Sequence, residues 1–303
     1  MIATWRGRLD HPYILLVLTT LFWSGNAIAG KLAVGDVPPM ALTFLRWTTA
    51  TLILSVIAAP HLRKDWPVIR ARALYLMAMG GIGFGTFNLF LYNALHTTSA
   101  LNVSIEQSAM PMVILLLGLV AFGERINWWQ VLGITLSLLG VAVTVTRGEL
   151  SSLATLSVNR GDAVMVGGVL VYAGYAVALR LKPAMHWSSF LAVLAASAAL
   201  TCLPFFLYEM ARGIIFQPSL RGLSLILYVG VFPSILAQLF FARGVAAIGA
   251  GRAGMFINLV PLFAAVLAIA LLGEQVRLFH VTGFMLVMTG IWLGVKGQEV
   301  WTR

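Results

Sequence analysis

The chain has 303 residues, of which 60% are hydrophobic and 10% charged, and its mean hydropathy is +0.94. Soluble domains average about 45–50% apolar and about 25% charged residues, so a soluble fold is excluded and the chain reads as an all-α, polytopic membrane protein. The net charge of +10 comes from Lys and Arg scattered singly through short connections, which argues against a nucleic-acid surface.

Hydropathy marks ten transmembrane helices, at approximately 13–34, 38–60, 73–95, 99–122, 128–146, 162–181, 186–208, 222–245, 249–272 and 277–297. The first imitates a secretory signal, with Arg6 and Arg8 ahead of an apolar run and the triplet Ala27-Ile28-Ala29 after it. It is expected to be retained, because the run continues to Val34 and carries Trp23 and Asn26 where a signal core is featureless. In the third span Phe84, Asn88 and Tyr92 share one face. The fourth carries Asn102, Glu106 and Met110 at steps of four, just ahead of Pro111. After the fifth span, residues 148–161 are polar and read as a linker between a first repeat, 1–147, and a second, 162–303. Tyr172 and Tyr175 lie one turn apart in the sixth span, Ser234 and Gln238 share a face of the eighth, and Met255 and Asn258 share a face of the ninth, ahead of Pro261. Cys202, the one cysteine, excludes an internal disulfide and is read as packing.

Shifting the chain by 150 positions lays Pro111 on Pro261, Gly123-Glu124 on Gly273-Glu274, Gly133 on Gly283 and Gly140 on Gly290. A shift of 149 lays Ser24-Gly25-Asn26-Ala27 and Lys31 on Ala173-Gly174-Tyr175-Ala176 and Arg180. Five crossings per copy force the second copy to enter from the opposite side, giving two inverted five-helix repeats, an arrangement that places sites at the repeat interface near mid-membrane. With the N-terminus inside, thirteen of the twenty Lys and Arg fall on the inner side and six on the outer, with Arg46 inside a span. That asymmetry predicts two cytoplasmic termini.

These residues resemble the EamA-type branch of the drug/metabolite transporter superfamily. The resemblance rests on Trp23-Ser-Gly-Asn26 with Lys31, on Leu45-Arg46-Trp47, and on Met110-Pro111 followed by Phe122-Gly-Glu124, repeated as Val260-Pro261 followed by Leu272-Gly-Glu274. It implies a bacterial inner-membrane permease exporting amino acids or related metabolites, with aromatic-amino-acid exporters of the YddG type as one neighbourhood. It implies alternating access by rocking of the two halves around a central cavity, with no cofactor and no ATP-binding motif. The expected partners are a small-molecule substrate and the lipid bilayer.

An ionisable group inside a span is a functional candidate by default, so Glu106 is expected either to meet a substrate amine or proton or to pair structurally between helices. Arg46 is read as a structural partner, Arg252 as snorkelling to headgroups, and Glu124 and Glu274 as parts of the repeat's turn. The candidate substrate-binding set is Trp23, Asn26, Phe84, Asn88, Tyr92, Asn102, Glu106, Met110, Tyr172, Tyr175, Ser234, Gln238, Met255 and Asn258. The five histidines stand apart along the chain and H-E-x-x-H, C-x-x-C and G-x-S-x-G are absent, so no catalytic or metal centre is expected. A membrane sensor or scaffold that binds a small molecule without moving it is the alternative reading.

Overall fold

The computed structural model describes residues 11–97, 106–155, 160–272 and 277–299. The helices, numbered here in chain order, are α1 (Pro12–Leu32), α2 (Pro39–Ala71), α3 (Ala73–Ala78, Met79–Thr86 and Phe87–Thr97), α4 (Met110–Phe122) and α5 (Trp128–Val145). The second set is α6 (Arg160–Ala178), α7 (Trp187–Ala211), α8 (Leu220–Val231, Phe232–Leu236 and Ala237–Ile248), α9 (Ala250–Met255, Phe256–Asn258 and Leu259–Leu272) and α10 (Leu278–Glu299). Among the described residues nine helices are long and apolar enough to cross a bilayer, and Glu106–Phe122 adds a shorter apolar one. The polarity is that of a membrane protein, with Leu74 (84% exposed) and Val120 (83%) on the outer surface and Arg46, Asn88, Gln238 and Asn258 buried.

The start of the fourth span, expected at 99, lies outside the described residues, and among the described ends one differs from expectation. Residues 61–71, read as part of a connection, continue α2 through Pro60 and Pro67. Hydropathy marks only the apolar part of this helix, and the added turns carry Arg63, Lys64 and Asp65 beyond it.

The two-fold relation between repeats is visible in their contacts. A Cβ on Gly140 would come within 2.7 Å of the Gly283 carbonyl oxygen, and one on Gly133 would clash with the Gly290 carbonyl. Gly283 is the repeat counterpart of Gly133, and Gly290 of Gly140, so each residue meets the counterpart of the other. Only an antiparallel pair about a local two-fold axis does this. Between helices in lipid there is no hydrophobic driving force, so the α5–α10 seam depends on this close backbone approach.

A second antiparallel pair, α2 and α7, is tied at both ends by carboxylates. Pro38 offers no side-chain cap to α2, and Glu209 of α7 accepts from the Met40 and Ala41 amides at 3.2 and 2.8 Å instead. At the other end Asp65 of α2 accepts from the His186 amide at 3.0 Å, while His186 Nδ1 accepts from the Ser188 amide and caps α7. The cap needs a neutral ring. Burial first, then the stacked His61 ring 3.6 Å away, pulls the His186 imidazole below its ordinary value.

The π-helical segments of α3 and α8 end at Thr86 and Leu236, also 150 positions apart. In α8 the cause is local. Pro233 has no N–H to offer the Val229 carbonyl four residues back, and the Ser234 hydroxyl donates to that carbonyl at 2.7 Å.

The repeats are interleaved in space. Helices α2 and α5 pack on α7 and α10, α3 and α4 on α6, and α8 and α9 on α1, so every extensive seam joins one repeat to the other. Rocking one sequence half against the other, as the resemblance implied, would break all of these seams together. The packing instead defines two bundles, α3–α4–α6 and α1–α8–α9, related by the two-fold.

Candidate functional site

Between these bundles lies a cavity of about 1330 Å³. Its mouth is formed by the α1–α2 connection (33–38) with the start of α2 and by the end of α7 with the connection after it. Its floor is aromatic. Tyr172 packs edge-on to Trp23 at 5.6 Å and lies 5.1 Å from Phe87 and 5.9 Å from Phe241. Trp47 stacks on Phe84 at 4.9 Å, and Phe84 in turn meets Tyr175.

The polar centre is Arg46, which is 3% exposed and lines the cavity. Its Nε donates to Ser234 Oγ at 2.9 Å, and one terminal nitrogen donates to Asn26 Oδ1 at 3.2 Å and Asn88 Oδ1 at 3.5 Å. Its guanidinium carbon lies 5.2 Å from the Trp47 ring centroid. These acceptors come from α1, α3 and α8, and each is placed by its helix. The π segment of α8 turns Ser234 inward, and Asn88 is held by donating its own amide to the Phe84 carbonyl at 3.1 Å. The three acceptors are neutral oxygens that fix the orientation of the guanidinium.

Of the residues singled out from sequence, Trp23, Asn26, Phe84, Asn88, Met110, Tyr172 and Gln238 line this cavity. Ser234 reaches it through Arg46. Tyr175, Met255 and Asn258 are buried beside it, toward the far end, and do not line it in this conformation. Glu106 does not line it either. It is partly buried near Asp162 of α6, with Oε2 lacking a hydrogen-bond partner. Asn102 and the Tyr92 side chain lie outside the described residues. Sequence reading passed over Arg46, Trp47, Phe87, Gln107 and Ser108 as lining residues. For Arg46 a signal existed, since a lone arginine within a span needs a polar surrounding.

Beyond the floor the two bundles close on each other. A Cβ on Gly251 would clash with the Leu115 side chain, and one on Gly254 would lie 2.7 Å from the Ile114 methyl, so α9 and α4 meet with no space between them. At this end Arg180 forms an ion pair with Glu124 at 2.6 Å, joining α6 to the turn after α4. Glu124 stands in that turn, which Gly123 closes with a φ of +65.

A ten-helix membrane bundle of two interleaved, inverted repeats, enclosing a polar-centred cavity open at one end, defines a membrane transport protein rather than an enzyme. The chain belongs to the EamA-like transporter family, whose model matches twice, over residues 11–146 and 159–295. Among its relatives is the uncharacterized transporter YyaM of Bacillus subtilis, 25% identical over 290 residues, covering 92% of each chain. A probable terminal-alkyne amino-acid exporter of Streptantibioticus cattleyicolor is 26% identical over 289 residues, covering 94% of each. A solved crystal structure superposes with a TM-score of 0.74 at 19% identity, over 93% of this chain and 95% of that one, and shares the fold.

Proposed function

We propose that this transporter exports amino acids or closely related small metabolites, aromatic or hydrophobic ones among them, by alternating access through the cavity between its bundles. The carrying observation is the cavity's composition: one fixed guanidinium, the amides of Asn26, Asn88 and Gln238, and walls of Trp23, Trp47, Phe84 and Tyr172. A guanidinium suits a carboxylate, amides suit an amine or a second polar group, and the rings suit an apolar side chain. The relative named as an amino-acid exporter supports the same class. The repeats 1–147 and 162–303 act as sequence units, each supplying two helices to one bundle and one to the other, with 148–161 joining them.

The test is efflux from proteoliposomes loaded with a mixture of amino acids and followed by mass spectrometry. Aromatic and aliphatic amino acids are expected to leave severalfold faster than from protein-free vesicles. No difference for any component would sink the assignment.

The proposed orientation is that of a bacterial inner-membrane protein with both termini in the cytoplasm and the cavity mouth facing outward. In a Cys202→Ser background, a cysteine at Ser152 is expected to react with an impermeant thiol reagent added to intact cells, and one at Asp65 to stay unmodified until the membrane is opened. The opposite pattern would invert the orientation.

A further inference from the structure

Two side chains just beyond the cavity floor carry polar atoms that the closed packing leaves unmatched. Asn258 is 1% exposed with neither its Oδ1 nor its Nδ2 hydrogen-bonded, and Tyr175 is 3% exposed with an unpartnered hydroxyl. An unpaired buried amide or hydroxyl costs about 1–3 kcal/mol, and such groups persist where another state satisfies them. One stands on α9 and the other on α6, so the pair belongs to the two different bundles.

The repeat relation says what that other state is. Asn258 is the counterpart of Ser108 at a shift of 150, and Tyr175 is the counterpart of Asn26 at a shift of 149. Ser108 and Asn26 both line the open cavity. When two inverted repeats exchange conformations, the lining on one side of the floor becomes the lining on the other. We propose that Tyr175 and Asn258 line a second half-site, sealed in this structure, that opens toward the Arg180–Glu124 end when Gly251 and Gly254 of α9 part from Leu115 and Ile114 of α4. The positions matching Arg46 at the two shifts are Ala195 and Ala196, so this half-site has no counterpart of Arg46. It offers a polar solute amide and phenol hydrogen bonds, and a carboxylate held by Arg46 on one side meets no matching guanidinium at that position on the other.

The inference rests on the transport reading for its need of two open states, but its test requires no substrate. Single cysteines are placed at Asn258, Tyr175 and Ser108 in a Cys202→Ser background, and native Cys202, 0% exposed in α7, serves as the packed control in the unmutated chain. A sulfonate-bearing methanethiosulfonate is applied to right-side-out and to inside-out membrane vesicles. Asn258→Cys and Tyr175→Cys are expected to react only from the Arg180–Glu124 side, about tenfold or more faster than Cys202, as a minor open state populated at about 0.1–10% allows. Ser108→Cys is expected to react only from the opposite side. Reaction of Asn258→Cys and Tyr175→Cys no faster than Cys202, or from the same side as Ser108→Cys, overturns the proposal.

Tyr175→Phe provides a reading that survives if the cysteine variants do not fold. Removing an unpartnered hydroxyl should leave the melting temperature unchanged or raised, while a lowered one would mean that the hydroxyl is bonded in the closed state and would overturn the premise. Efflux with a shielded Asn258→Cys would defeat this half-site and leave transport standing. Two-sided labelling without efflux of any amino acid would do the reverse.

Discussion

Replacing Arg46 by glutamine is expected to reduce transport by about tenfold or more while leaving a folded, monodisperse protein, because hydrogen bonds to a charged group are worth about 1.5–3 kcal/mol each. The acceptors Ser234, Asn26 and Asn88 surround a cavity wall, so water from the cavity can take the place of the lost donors. Removing this guanidinium therefore removes function before it removes fold. Arg46→Lys should restore charge but only part of the rate. One ammonium cannot reproduce the fork that reaches Ser234 with Nε and the two asparagines with a terminal nitrogen. Initial efflux rates in proteoliposomes at matched protein would decide it, and a wild-type rate for Arg46→Gln would remove Arg46 from the substrate path.

Leucine at Gly140 or Gly283 is expected to have the opposite profile, with loss of folded protein as the primary effect. At Gly140 the new side chain would meet the Gly283 carbonyl oxygen and the Val287 side chain, and at Gly283 the Thr144 hydroxyl and the Gly140 carbonyl oxygen, so the helices must separate. Overpacking typically costs about 1–3 kcal/mol, and a forced helix separation lies at or above the top of that range. Because the two glycines face each other at one contact, Gly140→Leu and Gly283→Leu should lower the melting temperature by similar amounts. Leu139→Ala, one position away on the 50%-exposed outer face, should change it little. Fluorescence-detected size exclusion after heating gives the comparison. A tolerated Gly140→Leu would mean that this seam does not hold the helices together.

How much could be read in advance depended on whether the signal was local. Each span is apolar and separately compelled to satisfy its backbone, so hydropathy located the ten helices, with described ends within a few residues apart from the extra turns of α2, while the start of the fourth lies outside the described residues. The duplication was legible because Pro and Gly are constrained by backbone geometry, and Pro111 with Pro261, or Gly133 with Gly283, survive as matched landmarks. The polar faces of α1, α3, α6 and α8 pointed to Trp23, Asn26, Phe84, Asn88, Tyr172 and Gln238 for the same reason. A buried amide in a membrane is visible in one helix alone.

Arg46 shows where that reasoning ends. From its own helix it is one arginine among apolar neighbours, and nothing in α2 says that acceptors from α1, α3 and α8 converge on it. Glu106 shows the converse, since its helix made it the leading candidate and the packing turned it toward Asp162 and away from the cavity. The sequence by itself determined that this is a ten-helix, duplicated membrane protein, because helix formation in lipid and glycine or proline geometry are decided within a few residues of chain. Only the tertiary structure decided that the repeats interleave, that the helices pack into mixed bundles, and that Arg46 sits at the centre of the cavity. Those outcomes depend on which faces of distant helices meet, and each face offers the same apolar surface to lipid as to a neighbour.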